Sequence, residues 1–348
     1  MEHQRYILWL DELRKEDGEV AGRKCANLGE MIHLGFRVPP GFALSIALYS
    51  KFLEDTGVAQ RLSLAMNRLG DLKETMAGIE KLSRQLQGLV ADEPVPETIE
   101  RLIGERYEAL CQKVGNADIP VAVRSSGVQS RPGMFETILN VKGRGPVVDA
   151  ARRVWASAFT PRAIAFRIHK GLPLDGDRLG VAILKMVQAG VAGIGFTMDP
   201  YTGDTSKIVI EAGWGFGEGV VSGSETSDYC SLRKEDLAIE KKEIGKKTKR
   251  MVAGEKGTVF VDVPLEMQEI PCLSDDEIKD VGALGKRLED AMGEPQDFEW
   301  AIEESGSYPE GLYLLQTRTA KVGGKPRVSA TDRILDMIAK RIYRTADK

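Results

Sequence analysis

Two short segments near the C-terminal end, PQDFEW at 295–300 and YLLQTR at 313–318, constrain the fold more than any other part of the chain. In the first, an extended backbone sets Gln296, Phe298 and Trp300 against Asp297 and Glu299, because successive side chains of a strand point to opposite faces. In the second, the same alternation sets Leu315 against Leu314 and Gln316. The connecting EESGSYPEG is polar and offers Pro309 and Gly311 for the turn, so a β-hairpin is expected. Such a hairpin presents Asp297, Glu299 and Gln316 on one face, with Arg318 on the side of Gln316. Carboxylate and amide oxygens in one cluster suit a hard cation, and magnesium normally arrives with a nucleotide phosphate. A solvated strand face is the plain alternative for any single carboxylate. Together with the motifs upstream, the metal reading is preferred.

Composition narrows the class. A chain of 348 residues is long for one domain and predicts two or three subdomains. A hydrophobic fraction of 42% and a charged fraction of 29% are those of an ordinary globular protein. The net charge of −4 supplies no basic field for nucleic acid. Cys25, Cys111, Cys230 and Cys272 are far apart and form no CxxC pair, which suits neither a zinc framework nor a disulfide scaffold. The charged N-terminal segment does not read as a signal peptide, and no apolar run reaches the ~18 residues of a membrane span. The expected setting is cytoplasmic, with no membrane partner. Histidine is scarce (His3, His33 and His169), so a mechanism that carries a group on histidine must choose among these or borrow one.

Along the chain, residues 5–45 read as a strand (YILWL), a glycine-containing loop, a helix from about Lys24 to Leu34 and a turn through Val38–Gly41. Residues 46–113 are helix-rich, broken at ADEPVPE (91–97) by Pro94 and Pro96. From Ile119 short strands take over: VAVRSS and ETILNV flank the loop GVQSRPGMF, and one helix is expected over 146–169. Strands follow at GVAILKMV, GIGFTMD and KIVIEAGW, then the glycine-rich GWGFGEGVVSG. The basic run KKEIGKKTKR is expected to be a solvated hairpin or loop. A helix over 274–292 opens with a Ser274/Glu277 capping box, and an amphipathic helix follows the linker after Thr319.

Three motifs upstream of the hairpin carry chemistry. Lys24, in AGRKCANLGEM, stands where a loop enters a helix, and an ammonium beside a helix N-terminus suits a phosphate. A surface lysine at a helix start is the plain alternative. Arg124, in VAVRSSG, is expected at the carboxyl end of a buried strand, where a guanidinium suits bidentate phosphate binding or a structural ion pair. The segment EAGWGFGEGVVSG lets backbone approach a ligand closely, with Glu218 placed for a ribose hydroxyl or a metal-bound water, although tight packing explains some of its glycines. Ser125, Ser126 and the cysteines have no obvious base partner, so covalent catalysis through them is discounted.

In this order, GRKCANLGEM, VPPGFALS, VAVRSSG, PGMFETILNV, WASAFTPRAIAFR, GIGFTMDPYTGD, IEAGWGFGEGVVSG, PQDFEWAI and LYLLQTR resemble the N-terminal ATP-grasp domain of the phosphoenolpyruvate synthase and pyruvate phosphate dikinase family, over about residues 18–320. The resemblance implies an α+β ATP-grasp fold with two subdomains that clamp ATP and a helical element in the first. It divides the chain into an N-terminal part with a helical insertion (1–115), a central subdomain (116–200), a C-terminal subdomain with the metal site (201–322), and a linker with an amphipathic docking helix (323–348). It implies that Lys24 and Arg124 hold ATP phosphates, that Glu299 and Gln316 bind Mg2+ with help from Asp297, and that Arg318 is a further phosphate contact. Lys185, Met186 and Val187 would form the adenine-side hinge through their backbone. Two departures stand out: Gly22-Arg23-Lys24 replaces the usual Gly-Gly-Lys, and Leu184 stands where glutamine is frequent.

Full-length members continue into a swivel domain with a phosphohistidine motif and then an acceptor-binding barrel, and no histidine here lies in such a motif. The chain is therefore expected to be the ATP-binding subunit of a split dikinase-type phosphotransferase. It would transfer the β,γ-diphosphoryl portion of ATP, leaving AMP, to a histidine on a separate subunit that also carries the acceptor-binding domain. A split of this kind occurs in phenylphosphate synthase, which makes phenol the expected final acceptor. The alternatives are a split phosphoenolpyruvate synthase subunit, a fragment of an antibiotic phosphotransferase of the rifampin type, a catalytically silent nucleotide-binding subunit and, on the wider ATP-grasp fold, an ADP-forming ligase.

Overall fold

The computed structural model describes residues 5–67, 75–129, 133–175, 177–221, 226–306 and 308–322. The expected C-terminal amphipathic helix lies outside them. The chain is α+β and, over the described residues, divides into two compact units, one made of Pro40–Lys185 with the chain up to Gly29, the other of Glu30–Pro39 with residues 186–322. In order, the elements up to Lys185 are β1 (Ile7–Trp9), α1 (Gly18–Ala21), α2 (Arg23–His33), β2 (Gly41–Leu44), α3 (Ile46–Asp55), α4 (Val58–Asn67), α5 (Met76–Ala91), α6 (Glu97–Val114), β3 (Val121–Gly127), β4 (Thr137–Val141), α7 (Arg144–Ala156), α8 (Pro161–Lys170) and β5 (Leu179–Lys185).

The strands of the first unit form one antiparallel sheet ordered β1-β2-β5-β3-β4. One face carries Phe42, Val123 and Ile183 into an apolar core closed by α3 to α8. At its centre Trp155 of α7 stacks on Tyr49 and Phe52 of α3, with ring centroids 5.6 and 5.2 Å apart. The helices expected from spacing over 46–113 form, and the break at ADEPVPE falls between α5 and α6. The single helix expected over 146–169 is instead two. A 3-10 turn at Ser157–Phe159 closes α7, and Thr160 caps α8 by accepting from Ala163 N–H at 3.3 Å, with Pro161 at the first helical position. Proline is tolerated there because its missing N–H would have no intrahelical partner anyway. The turn expected at Val38–Gly41 gives way at Gly41 to β2, where a Cβ would lie 2.3 Å from Ile183 O of β5, so only glycine lets those strands meet.

The second unit contains β6 (Ala189–Phe196), β7 (Lys207–Trp214), α9 (Glu218–Val221), β8 (Asp228–Arg233), β9 (Ile239–Glu243), β10 (Lys249–Ala253), β11 (Thr258–Asp262), α10 (Asp275–Met292), β12 (Gln296–Glu303) and β13 (Leu312–Thr319). Six strands form an antiparallel sheet ordered β13-β12-β6-β7-β8-β9, and β10 and β11 form a separate ribbon. Helix α10 opens with the expected capping box, in which Ser274 and Glu277 satisfy each other's backbone N–H, and it packs on β6, β7, β8 and β12. Under it, Phe298 and Trp300 are wholly buried. They fit because β6 offers glycine where they lie: a Cβ on Gly195 would fall 2.2 Å from the Phe298 ring, and one on Gly193 would fall 2.9 Å from Trp300. Burying such a side chain contributes about 2–3 kcal/mol, which a Cβ at either glycine would forfeit through overpacking.

The basic run at 241–250 is solvated except at Lys247, whose side chain is 1% exposed. Its ammonium pairs with Asp228 and donates to Gly245 O at 2.8 Å. Asp228 in turn accepts from Gly245 N–H at 3.0 Å and from Cys272 N–H at 2.7 Å. One buried ion pair thus ties the start of β8 to the segments before β10 and before α10. Replacing Lys247 with Met leaves a buried carboxylate without its counter-charge. Urea unfolding followed by tryptophan fluorescence is expected to show a loss of about 3–5 kcal/mol, with a smaller penalty once Asp228→Asn is added.

Candidate nucleotide and metal site

In the first unit, the N-terminus of α2 is pinned to β3 and the residue after it by close backbone approach and hydrogen bonds. Gly22 joins α1 to α2 at φ +79°, and a Cβ there would lie 1.9 Å from Ser126 O. The Ser126 hydroxyl accepts from Cys25 N–H at 3.0 Å, and Arg23 Nε donates to Val128 O at 2.9 Å. Below it, Gly180 of β5 lets Ala21 O approach to 2.3 Å of where its Cβ would be. Lys24, half-buried, is the second residue of this helix. Arg124 and Ser126 are two apart on β3 and so share a sheet face, which brings Arg124 to the face on which the α2 N-terminus rests. Arg124 is the fourth of seven strand residues and not at the carboxyl end, because Ser125, Ser126 and Gly127 continue the ladder with Val181, Gly180 and Leu179. The pairing of Ser126 with Cys25 was not legible in the sequence, since the two are 101 residues apart and only the fold joins them.

Cys25 sits beside Lys24 but is not a nucleophile. Burial pushes its thiol up to about 12, outweighing the Ser126 hydrogen bond and the Lys24 charge. His33 ends α2 and His169 is the last residue but one of α8, both at exposed positions. Lys185 closes β5 and donates its N–H to Pro40 O at 2.8 Å. The next two residues, Met186 and Val187, are buried at 4% and 6% exposure and precede β6. The boundary between the two units falls at Lys185 and Met186.

In the second unit, the expected hairpin forms between β12 and β13, with one departure from strict alternation. Asp297 pairs with Arg318 and Glu299 with Gln316, but Trp300 then pairs with Leu314, leaving Leu315 as a bulge. Leu314 therefore joins Trp300 in the core and does not share the face of Gln316, as the alternation had placed it. The four polar residues stand on one face, as two adjacent cross-strand pairs. Arg318 Nε donates to Asp297 Oδ2 at 2.6 Å, and its Nη2 also contacts that oxygen. Gln316 Nε2 donates to Glu299 Oε1 at 3.0 Å. Burial raises the Asp297 carboxyl above its ordinary range, and Glu299 adds to this, while Arg318 opposes both.

The strand end that carries these residues is held from behind. Gln296, fully buried, receives Thr317 Oγ1 at 2.8 Å, and its N–H donates to Thr197 Oγ1 at 2.8 Å. Arg37 covers the outer edge of β13: its O accepts from Leu314 N–H at 2.9 Å and its guanidinium lies 4.9 Å over the Tyr313 ring. Register carries the same face onward through Ile194 of β6 to Glu211 of β7, whose carboxylate accepts from Ser227 Oγ at 3.0 Å. The glycine-rich turn packs on this face too, since a Cβ on Gly217 would lie 3.3 Å from Ala192 Cβ, and Ala192 is in register with Ala301. Glu218 opens α9 at an exposed position. Several glycines of that turn have a packing reason: a Cβ on Gly215 would lie 2.2 Å from Met251 O and one on Gly213 2.6 Å from Val220.

The donor set fits a hard cation. Gln316 Oε1 is buried and has no hydrogen-bond partner among the described residues, while its amide nitrogen is engaged by Glu299. A buried amide oxygen next to a carboxylate is an oxygen donor without a partner, as a magnesium site requires. Among the described residues no cluster of three or more His, Cys, Asp or Glu is suited to a metal, so protein oxygens alone do not complete a shell. Magnesium commonly leaves such positions to waters and phosphates.

Comparison with known proteins gives the family. Residues 18–337 match the family model described as "Pyruvate phosphate dikinase, AMP/ATP-binding domain". The "Probable phosphoenolpyruvate synthase" of Methanocaldococcus jannaschii is 38% identical over 333 residues, covering 93% of this chain and 27% of that protein. Its namesake from Methanothermobacter thermautotrophicus is 38% identical over 320 residues, covering 90% and 46%. The "Phosphoenolpyruvate synthase" of Aeropyrum pernix is 33% identical over 363 residues, covering 94% and 44%. The chain thus spans less than half the length of these relatives. With the ordered motifs set into these two α+β units, the chain belongs to the family of the pyruvate phosphate dikinase AMP/ATP-binding domain, an ATP-grasp module.

Proposed function

We propose that this chain is the ATP-binding subunit of a dikinase-type phosphotransferase. It passes the β,γ-diphosphoryl portion of ATP, leaving AMP, to a histidine outside these 348 residues, carried by a partner subunit that also binds the final acceptor. The observation that carries the reading is the paired face of the β12–β13 hairpin, where Glu299 lies beside the buried oxygen of Gln316, which has no hydrogen-bond partner among the described residues. Bound Mg2+ would neutralise phosphate charge as the diphosphoryl group leaves. Glu299 and Gln316 would hold that ion, with Asp297 beside them. Lys24 and Arg124 would bind phosphate oxygens, Lys24 aided by the N-terminal amides of α2. Arg318 would share its charge between Asp297 and a phosphate. Glu218 would accept from the ribose, and the backbone of Lys185, Met186 and Val187 would line the adenine.

In this scheme the chain supplies no nucleophile. Its contribution is positioning and electrostatic stabilisation by groups fixed before the reaction. A silent nucleotide-binding subunit would have no need of the whole set Lys24, Arg124, Asp297, Glu299, Gln316 and Arg318. Phenol is the acceptor tested first, with pyruvate beside it.

Isothermal titration with ATP and magnesium is expected to show Glu299→Gln and Gln316→Ala binding about tenfold or more weakly than wild type, the size of one lost charge-assisted contact. An unchanged affinity in both variants would remove the hairpin from the site. With the histidine-bearing partner present, Arg124→Ala is expected to slow transfer by about 100-fold while nucleotide affinity falls far less. Chromatography of the nucleotide product decides the reaction class. AMP formed only with the partner, and dependent on phenol or on pyruvate, supports the scheme; ADP indicates a ligase; tight ATP binding without turnover under any pairing indicates a regulatory subunit.

A further inference from the structure

The ribbon of β10 and β11 leaves apolar surface open on both sides. Val259 and Phe260 are each 45% exposed, and Leu265 just beyond is 83% exposed. Val259 and Phe260 are neighbours on one strand and so lie on opposite faces of the ribbon. The outer side of β10 is fastened, since Phe216 N–H donates to Met251 O at 2.9 Å and Gly215 bridges the same residue.

Among the described residues, nothing fastens the outer side of β11. Bonds from Gly254 N–H to Gly257 O and from Val263 N–H to Thr248 O, both 3.0 Å, flank the ladder. The bonds within the ribbon therefore fall to the alternate pairs Val252/Val259 and Arg250/Val261. Thr258, Phe260 and Asp262 turn their N–H and C=O outward, and no backbone partner meets them among the described residues. Proteins usually blunt such an edge with proline, lysine or a bulge. The strand TVFVD has no proline or lysine, and its ladder runs without a register shift.

We infer that the free edge of β11 is an interface between two copies of this chain, with β11 pairing antiparallel to its mate about Phe260. The strand is self-complementary in that register. Phe260 meets itself through the outward N–H and C=O, Val259 of each copy lies opposite Val261 of the other, and the Thr258 hydroxyl lies opposite the Asp262 carboxylate. No like charges are opposed. The pairing is a closed two-fold, so it ends at a dimer and does not propagate. It also turns a two-stranded ribbon, marginal in water, into a four-stranded sheet with a continuous Met251–Phe260 row on one face.

The register makes a position-specific test. All four native cysteines are buried, so a cysteine introduced at the ribbon is the reactive surface thiol. Under mild oxidation the Phe260→Cys chain is expected to run on a non-reducing gel at twice the mass of one chain. Val259→Cys alone should link poorly, and a mixture of Val259→Cys with Val261→Cys should link well. Wild type should sediment as a dimer at micromolar concentration, and Phe260→Asp as a monomer with unchanged circular dichroism and ATP affinity. A wild-type chain that is monomeric throughout, including one that pairs only with a different polypeptide, overturns the proposal. So does a dimer that survives Phe260→Asp, or equal linking at positions 259 and 260.

Discussion

The second unit depends on an exchange of side-chain volume between two neighbouring strands. β12 sends Phe298 and Trp300 to the α10 side of the sheet, and β6 gives up its side chains at Gly195 and Gly193 to receive them. Because successive residues of a strand point to opposite faces, seating these two rings fixes where Asp297 and Glu299 must point. The carboxylates are therefore aimed by apolar packing on the reverse side of the strand. Gln296, Thr317 and Thr197 add a buried hydrogen-bonded brace at the strand end, so the charged face needs no charged support.

The first unit reaches a similar result by backbone contact. Lys24 and Arg124 are placed by Gly22, Ser126 and Gly180, small groups that let the end of α1 rest on β5 and the start of α2 on β3. In both units, small or apolar groups packed behind the strands place the residues that would meet phosphate or metal. The buried pair of Lys247 and Asp228 is the converse, charge used wholly inside the protein to join loops. Its partners are all satisfied, which is the condition under which a buried ion pair is tolerated.

Much of this was legible in the sequence, and the unread parts share a cause. The α4 to α6 periodicity and the Ser274 cap are local patterns, readable within a few residues, and the shared face of Asp297, Glu299, Gln316 and Arg318 follows from strand alternation on either side of a short turn. The break between α7 and α8 was also written locally, in Thr160-Pro161, but lay inside an apolar pattern continuous enough to suggest one helix. Lys247 had no such local sign, because its counter-charge is 19 residues away across a strand connection and its neighbours are exposed lysines. The Ser126–Cys25 contact is likewise a product of topology. Glycines split along the same line: those of the Gly213–Gly219 turn read as ligand-approach sites, and close packing accounts for Gly213 and Gly215.

The bulge at Leu315 has a consequence for how the hairpin tolerates change in length. One extra residue in β13 shifts its phase, so that Tyr313 and Leu314 obey one alternation and Gln316 and Arg318 another. Insertions or deletions in the 304–310 connection leave both phases intact, since they lie beyond the row that Glu303 and Gly311 close. A deletion at 315 would merge the phases and send either Leu314 or Gln316 to the wrong side of the sheet. Leu315 can thus vary in identity while its presence as a residue is required, and counting residues between the aromatic core and the amide matters more there than naming them.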